Sequence, residues 1–194
     1  DSSMNVKLNT KFKKEDCKNY DIVINCTYAN INDILEEDSK KEYQFEVCEK
    51  IAVKMPHEVS NKSIVIMDGP FMCVDPYGNT GNSLLGNVVH AIHSSKVEKH
   101  PTISDEITPF LNKGIVKNPK VSNFNKFIEV GKNYIPSLEM AEYIGSMYTV
   151  RAVLPNMDKT DGRPTIVAKQ HNNIINVFSG KIDTCVNATT EIIV

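Results

Sequence analysis

The segment from Met147 to Val194 constrains the fold more than any other part of the chain. Ile174 to Phe178 is an apolar, β-branched run that predicts a strand. Ser179-Gly180-Lys181 follows as a sharp turn. Asp183 to Val194 then predicts a helix, with Asp183 or Thr184 as its N-cap. A strand, a glycine turn and a helix start bring unpaired backbone N–H groups and the positive end of a helix dipole to one point. Such a point suits an anion or a polarised carbonyl. The chain has 22 Lys and Arg residues, and its two arginines, Arg151 and Arg163, both fall in this segment. Lysine serves everywhere else, so the fixed guanidinium fork is expected to matter here.

Upstream, Met4 to Phe12 alternates loosely and predicts a strand. Asp21 to Cys26 is a short, nearly continuous apolar run, as in a strand buried on both faces of a parallel sheet. Ile31 to Lys41 is acidic and helix-compatible. Glu42 to Met55 alternates as a long strand, with a slip at Glu49 and Lys50 that reads as a bulge. Ser63–Met67, Phe71–Val74 and Leu84–Ile92 are further strands, and Asp68-Gly69-Pro70 is a turn. This succession without long helical spacers predicts an antiparallel sheet. Ser94 to Thr102 is polar, a helix is expected from Ser104, and Asn123–Tyr134 has helical spacing up to Pro136. Leu138 to Ile144 reads as a short helix and Met147 to Leu154 as a strand.

With 41% apolar and 24% charged residues, the composition is that of an ordinary globular chain. A net charge of −2 gives no reason to expect nucleic acid or an anionic membrane surface. No apolar run reaches the ~20 residues that span a bilayer. Cys17, Cys26, Cys48, Cys73 and Cys185 are widely spaced and form no CxxC, which suggests reduced thiols and a cytoplasmic location. Sequons at Asn25, Asn61 and Asn187 are near chance in so Asn-rich a chain.

Arg151, the turn Asp161-Gly162-Arg163-Pro164, the strands Thr165–Ala168 and Ile174–Phe178, and Ser179-Gly180-Lys181-Ile182-Asp183-Thr184 occur in a set order. That order resembles the C-terminal end of the FAD-dependent oxidoreductases of the D-amino-acid oxidase, glycine oxidase and glycerol-3-phosphate dehydrogenase group. The last stretch is similar to the Gly-Gly-Lys-Leu-Thr-Thr pattern of the glycerol-phosphate branch. Asp21 to Asn30 resembles the group's Asp-x-Val-Val-Asn-Ala-Thr-Gly strand, with Tyr28 where Gly is expected. The group places Pro directly after the Arg, whereas here Pro155 comes four residues later.

The resemblance implies an α+β fold in three parts. Residues 1–40 and 151–194 would be pieces of an FAD-binding, Rossmann-like domain, and residues 41–150 an antiparallel substrate domain with helices. It implies FAD contacts at Thr27, Asp161, Gly162, Arg163, Gly180, Lys181, Asp183 and Thr184. Arg151 would hold a substrate carboxylate or phosphate, with Tyr77 and His90 facing the substrate. No Gly-x-Gly-x-x-Gly opens a helix anywhere in the chain. The resemblance therefore implies a fragment whose FAD-binding N-terminal half lies upstream, and which alone lacks most of its cofactor grip. The complete protein would oxidise a small amine, amino acid or hydroxy acid by hydride transfer to FAD. Two other readings stay open on the residues. One is a cofactor-free interaction module. The other is a small metal-dependent enzyme using the His90/His93 pair.

Overall fold

The computed structural model describes residues 4–67, 71–157, 162–170 and 173–193. The expected Asp68-Gly69-Pro70 turn and the acidic residues Asp158 and Asp161 lie outside them. The architecture is α+β with mostly antiparallel pairing and few helices. Two compact units divide it: Asp1–Tyr43 with Glu98–His100 and Val153–Val194, and Gln44–Val97 with Pro101–Ala152.

The first unit is built on a three-stranded sheet of β1 (Val23–Asn25), β9 (Ile174–Phe178) and β8 (Ile166–Lys169), in the order β1-β9-β8. β1 runs parallel to β9, with Val23 opposite Ile174 and Asn25 opposite Asn176. β8 runs antiparallel to β9, with Ile166 opposite Phe178. Period-2 alternation sends Val23, Asn25, Ile174, Asn176 and Phe178 to one face. There Ile174 and Val23 pack with Cys17, Ile34 and Leu35, and Phe178 stacks on Tyr43 with ring centroids 4.8 Å apart. The helix α2 (Cys185–Ile193) packs on β8 and buries Ala188.

The second unit holds β2 (Tyr43–Lys54), β3 (Ile64–Ile66), β4 (Met72–Pro76), β5 (Ser83–Asn87), β6 (Ile92–Glu98) and β7 (Glu142–Val153). The sheet order is β3-β4-β5-β2-β6, with β7 also on β2. Ile51 and Val53 of β2, Met72 and Val74 of β4, and Leu85 of β5 meet Phe127 of the helix α1 (Phe124–Gly131) in one core.

Several expectations need correction. Met4 to Phe12 forms no strand, and Met4, Val6 and Leu8 are exposed. β1 is covered on one face only, because Ile22 and Ile24 are exposed. Ile31 to Lys41 makes turns instead of a helix. Buried Asn32 folds it back by donating Nδ2 to Lys41 O and Lys99 O, each at 2.7 Å. Leu84 to Ile92 is two strands. Asn87 Oδ1 accepts the Val89 and His90 N–H groups, so the chain turns there and the polar stretch that follows is β6. After Ser104 come turns and a short 3-10 piece at Thr108–Phe110. Pro136–Met140 is likewise 3-10, and Glu142 already belongs to β7. β2 has no slip: Tyr43, Phe45, Val47, Glu49, Ile51 and Val53 all point inward, and Glu49 simply takes an inward place.

Candidate functional site

Parallel pairing decides what β1 and β9 can present. Asn25 lies opposite Asn176, so the residues after β1 and those after β9 emerge at the same carboxyl edge. Thr27 follows β1, and Ser179 to Thr184 follow β9. In open α/β sheets the carboxyl edge of parallel strands is where ligands bind. β8 runs the other way, so the residues preceding it, Gly162 to Thr165, lie at this edge too. The structure thus brings together Thr27, Gly162, Arg163, Gly180, Lys181, Asp183 and Thr184. Asp161 lies outside the described residues.

A continuous relay fixes the edge. Gly180 N–H donates to Thr165 Oγ1 at 3.0 Å. The Thr165 and Thr184 hydroxyls are 2.5 Å apart, and Thr184 Oγ1 donates to Lys181 O at 2.7 Å. A Cβ on Gly180 would lie 2.1 Å from Arg163 O, so only glycine lets β9 pass the segment before β8. Two expectations change. Gly180 N–H is engaged within the protein, not open to a ligand. The helix start is a 3-10 turn, Ile182–Thr184, capped by Lys181 without a side-chain bond, and Asp183 sits in that first turn. Neither Asp183 nor Thr184 caps it.

At the end of β1, Asn25 is 2% exposed. Its Nδ2 donates to Ile31 O at 2.8 Å and to Asn176 Oδ1 at 2.7 Å. Its Oδ1 accepts from Thr27 Oγ1 at 2.7 Å. Tyr28 follows with φ +55, in the left-handed region. The other positive-φ residues among those described, glycines aside, are all Asn, which tolerates that region. Tyr28 therefore keeps the backbone that a glycine would adopt at this place.

The second unit treats the remaining expected residues differently. Tyr77 follows β4 at Pro76, which faces Ser83, while His90 lies beyond Asn87, at the other end of β5. Four strand steps, roughly 13 Å, separate those ends. One small substrate does not span both. Arg151 Nε donates to Glu46 Oε2 at 2.6 Å, and Nη2 pairs with the same oxygen. Gln44 Nε2 donates to Glu46 Oε1 at 2.8 Å.

Among the described residues of this unit, one densely bonded polar group carries only a weak sequence signal. Glu49 is 1% exposed. Its carboxylate accepts from Ser146 Oγ at 2.5 Å, Ser122 Oγ at 2.6 Å and Asn123 N–H at 2.8 Å. His93 Nε2 lies at 2.9 Å and the Tyr148 hydroxyl at 3.4 Å. Burial pushes the Glu49 carboxyl up, but the bonds from His93, Ser122, Ser146 and Asn123 outweigh it and hold the group below its ordinary value. Burial and the nearby Glu49 charge push the Tyr148 phenol well up. The available signal was an acidic residue at an inward place of an alternating strand. His93 is thereby engaged, and His90 O accepts from Asn123 Nδ2 at 2.9 Å. Among the described residues no group of three His, Cys, Asp or Glu side chains could hold a metal ion. All five cysteines are free thiols. No described helix is long and apolar enough to cross a membrane.

No family model matches the sequence, and no curated protein matches it. Among solved structures, the crystal structure of glycine oxidase from Geobacillus kaustophilus is similar, with a TM-score of 0.53 at 12% sequence identity. The match covers 87% of this chain and 38% of that one, so the chain spans well under half the length of this neighbour. At such identity the likeness is one of fold.

Proposed function

We propose that the chain is the substrate-domain portion of an FAD-dependent oxidoreductase acting on a small amine, amino acid or hydroxy acid. In this reading residues 1–40 and 151–194 are pieces of the FAD-binding domain, residues 41–150 are mostly substrate domain, and an upstream half supplies the rest. The observation that carries the reading is the shared carboxyl edge of β1 and β9. It gathers Thr27 and the Ser179–Thr184 turn where a ligand of a parallel sheet is held. The glycine oxidase-like fold supports it. So does the outer edge of β1, which has no strand partner among the described residues and is flanked by exposed Ile22 and Ile24. An edge of that kind suits further parallel strands.

The residues at the edge fit a flavin in part. Thr27, Lys181 and the first turn of the C-terminal helix would face it, and Lys181 supplies a positive charge for an electron-rich ring edge. Gly180 would act by letting β8 and β9 close, since its N–H belongs to Thr165. Gly162 and Arg163 would line the same edge. When bound, FAD supplies a hydride-accepting ring, and the protein supplies orientation and electrostatics. On the substrate side the reading keeps Arg151, with Glu46 as the counter-ion that a substrate carboxylate displaces. Tyr77 and His90 are dropped as a pair because they lie at opposite ends of the β4–β5 hairpin.

The test uses the product of the complete gene. Gly180→Val should lower flavin content, because the added side chain pushes the strands apart at the cofactor edge. Arg151→Lys should keep flavin and lower kcat/KM. Glu46→Gln should lower KM for an anionic substrate by removing the competitor. A flavin content untouched by Gly180→Val, or a kcat/KM untouched by Arg151→Lys, contradicts the assignment of that residue.

A further inference from the structure

The first unit contains a second feature that the flavin reading does not use. Under the covered face of its sheet lies a small cavity of about 100 Å³, walled by Ile31, Leu154, Ile166 and Ala168 and by the stacked rings of Tyr43 and Phe178. Asn176 lines it and is itself 6% exposed. Asn176 Oδ1 points across to β1, where it accepts from Asn25 Nδ2. The assignment of its oxygen is fixed, because Asn25 must offer Nδ2 to Ile31 O and Oδ1 to the Thr27 hydroxyl. Asn176 Nδ2 therefore faces the other way, toward β8, whose Ile166 and Ala168 wall the cavity. No hydrogen-bond partner for that Nδ2 exists among the described residues. That donor meets solvent in the cavity, and an acceptor inside the cavity would take that water's place.

The mouth of the cavity adds charge. Lys41, Ser39 and Gln170 line both the cavity and a wider depression of about 370 Å³, whose other lining residues are Asp38, Lys40 and Lys169. Lys40 pairs with Glu37 at 2.9 Å, while Lys41 and Lys169 have no carboxylate partner among the described residues. Exposed Glu42 stands on the cavity rim and limits the positive excess. The cavity holds roughly three waters' share of liquid volume. An occupant must therefore be small, apolar on most of its surface, and an acceptor at one end.

We propose that this cavity is a binding site for a short-chain carboxylate of about propionate size. Its alkyl end packs on Ile31, Leu154, Ile166 and Ala168. Its carboxylate accepts from Asn176 Nδ2 and turns toward the lysine-lined mouth. The proposal stands on this unit's own residues and does not depend on a flavin.

The experiment is a propionate titration of isotopically labelled protein, following the Asn176 side-chain amide signals by NMR, with sodium chloride at matched ionic strength as the control. Saturable shifts in the millimolar range, as expected for so few atoms, that chloride does not produce support the site. Ala168→Val fills the cavity with a residue that strands favour, and should abolish the shifts while the rest of the spectrum stays folded. Three results overturn the proposal: no saturable shift, equal shifts with chloride, or shifts that survive Ala168→Val in a folded protein.

Discussion

Glu49 shows how a single residue sets local stability. A carboxylate removed from water is tolerated only when its lone pairs are filled. Here two serine hydroxyls, one backbone N–H and His93 fill them. Glu49→Ala leaves those donors without their acceptor and should cost about 3–5 kcal/mol, read as a lowered urea midpoint. The pH dependence follows from the lowered carboxyl value. A depressed carboxylate contributes stability that is fully present above its unfolded value, about 4.3, and that is lost as pH falls through the lower folded value. The urea midpoint of the wild type should therefore fall with acidification below about pH 4, and Glu49→Gln should flatten that fall. An acid limb of unchanged steepness in the Gln variant would show that other groups cause it.

At the scale of elements, strand pairing turns short motifs into a surface. β1 and β9 each have only a few residues, yet their parallel register puts two loops at one edge, and the reversed β8 adds a third segment there. Gly180 permits the closest approach. Gly180→Ala should cost about 1–3 kcal/mol by overpacking against the Arg163–Thr165 backbone, measured as a drop in melting temperature. If it costs nothing, the strands do not meet so closely.

This edge was largely legible in the sequence. The β-branched run at Ile174–Phe178, the Gly turn and the apolar run at Asp21–Cys26 each carry a local signal. What was not legible depends on side chains acting at a distance. Asn32 holds Ile31–Lys41 in turns through two carbonyls, one of them on Lys99, which no periodicity reveals. Asn87 breaks an apolar stretch that otherwise reads as one strand. Glu49 breaks the β2 alternation in polarity but not in position. Asn25 and Asn176 are matched polar residues in two apolar runs, and their pairing could have been suspected from that alone.

For the molecule as a whole, the antiparallel sheet of the second unit and the mixed sheet of the first each have their own buried cluster. Among the described residues the first sheet ends at β1, beside exposed Ile22 and Ile24. That boundary, the shared carboxyl edge and the likeness to part of glycine oxidase form the basis of the flavin reading. The most direct test is a visible absorbance spectrum of the purified product of the complete gene, recorded beside this 194-residue chain. The account predicts the two-banded spectrum of a bound flavin in the longer product and little or none in the short chain. A longer product that folds and carries no flavin would contradict it.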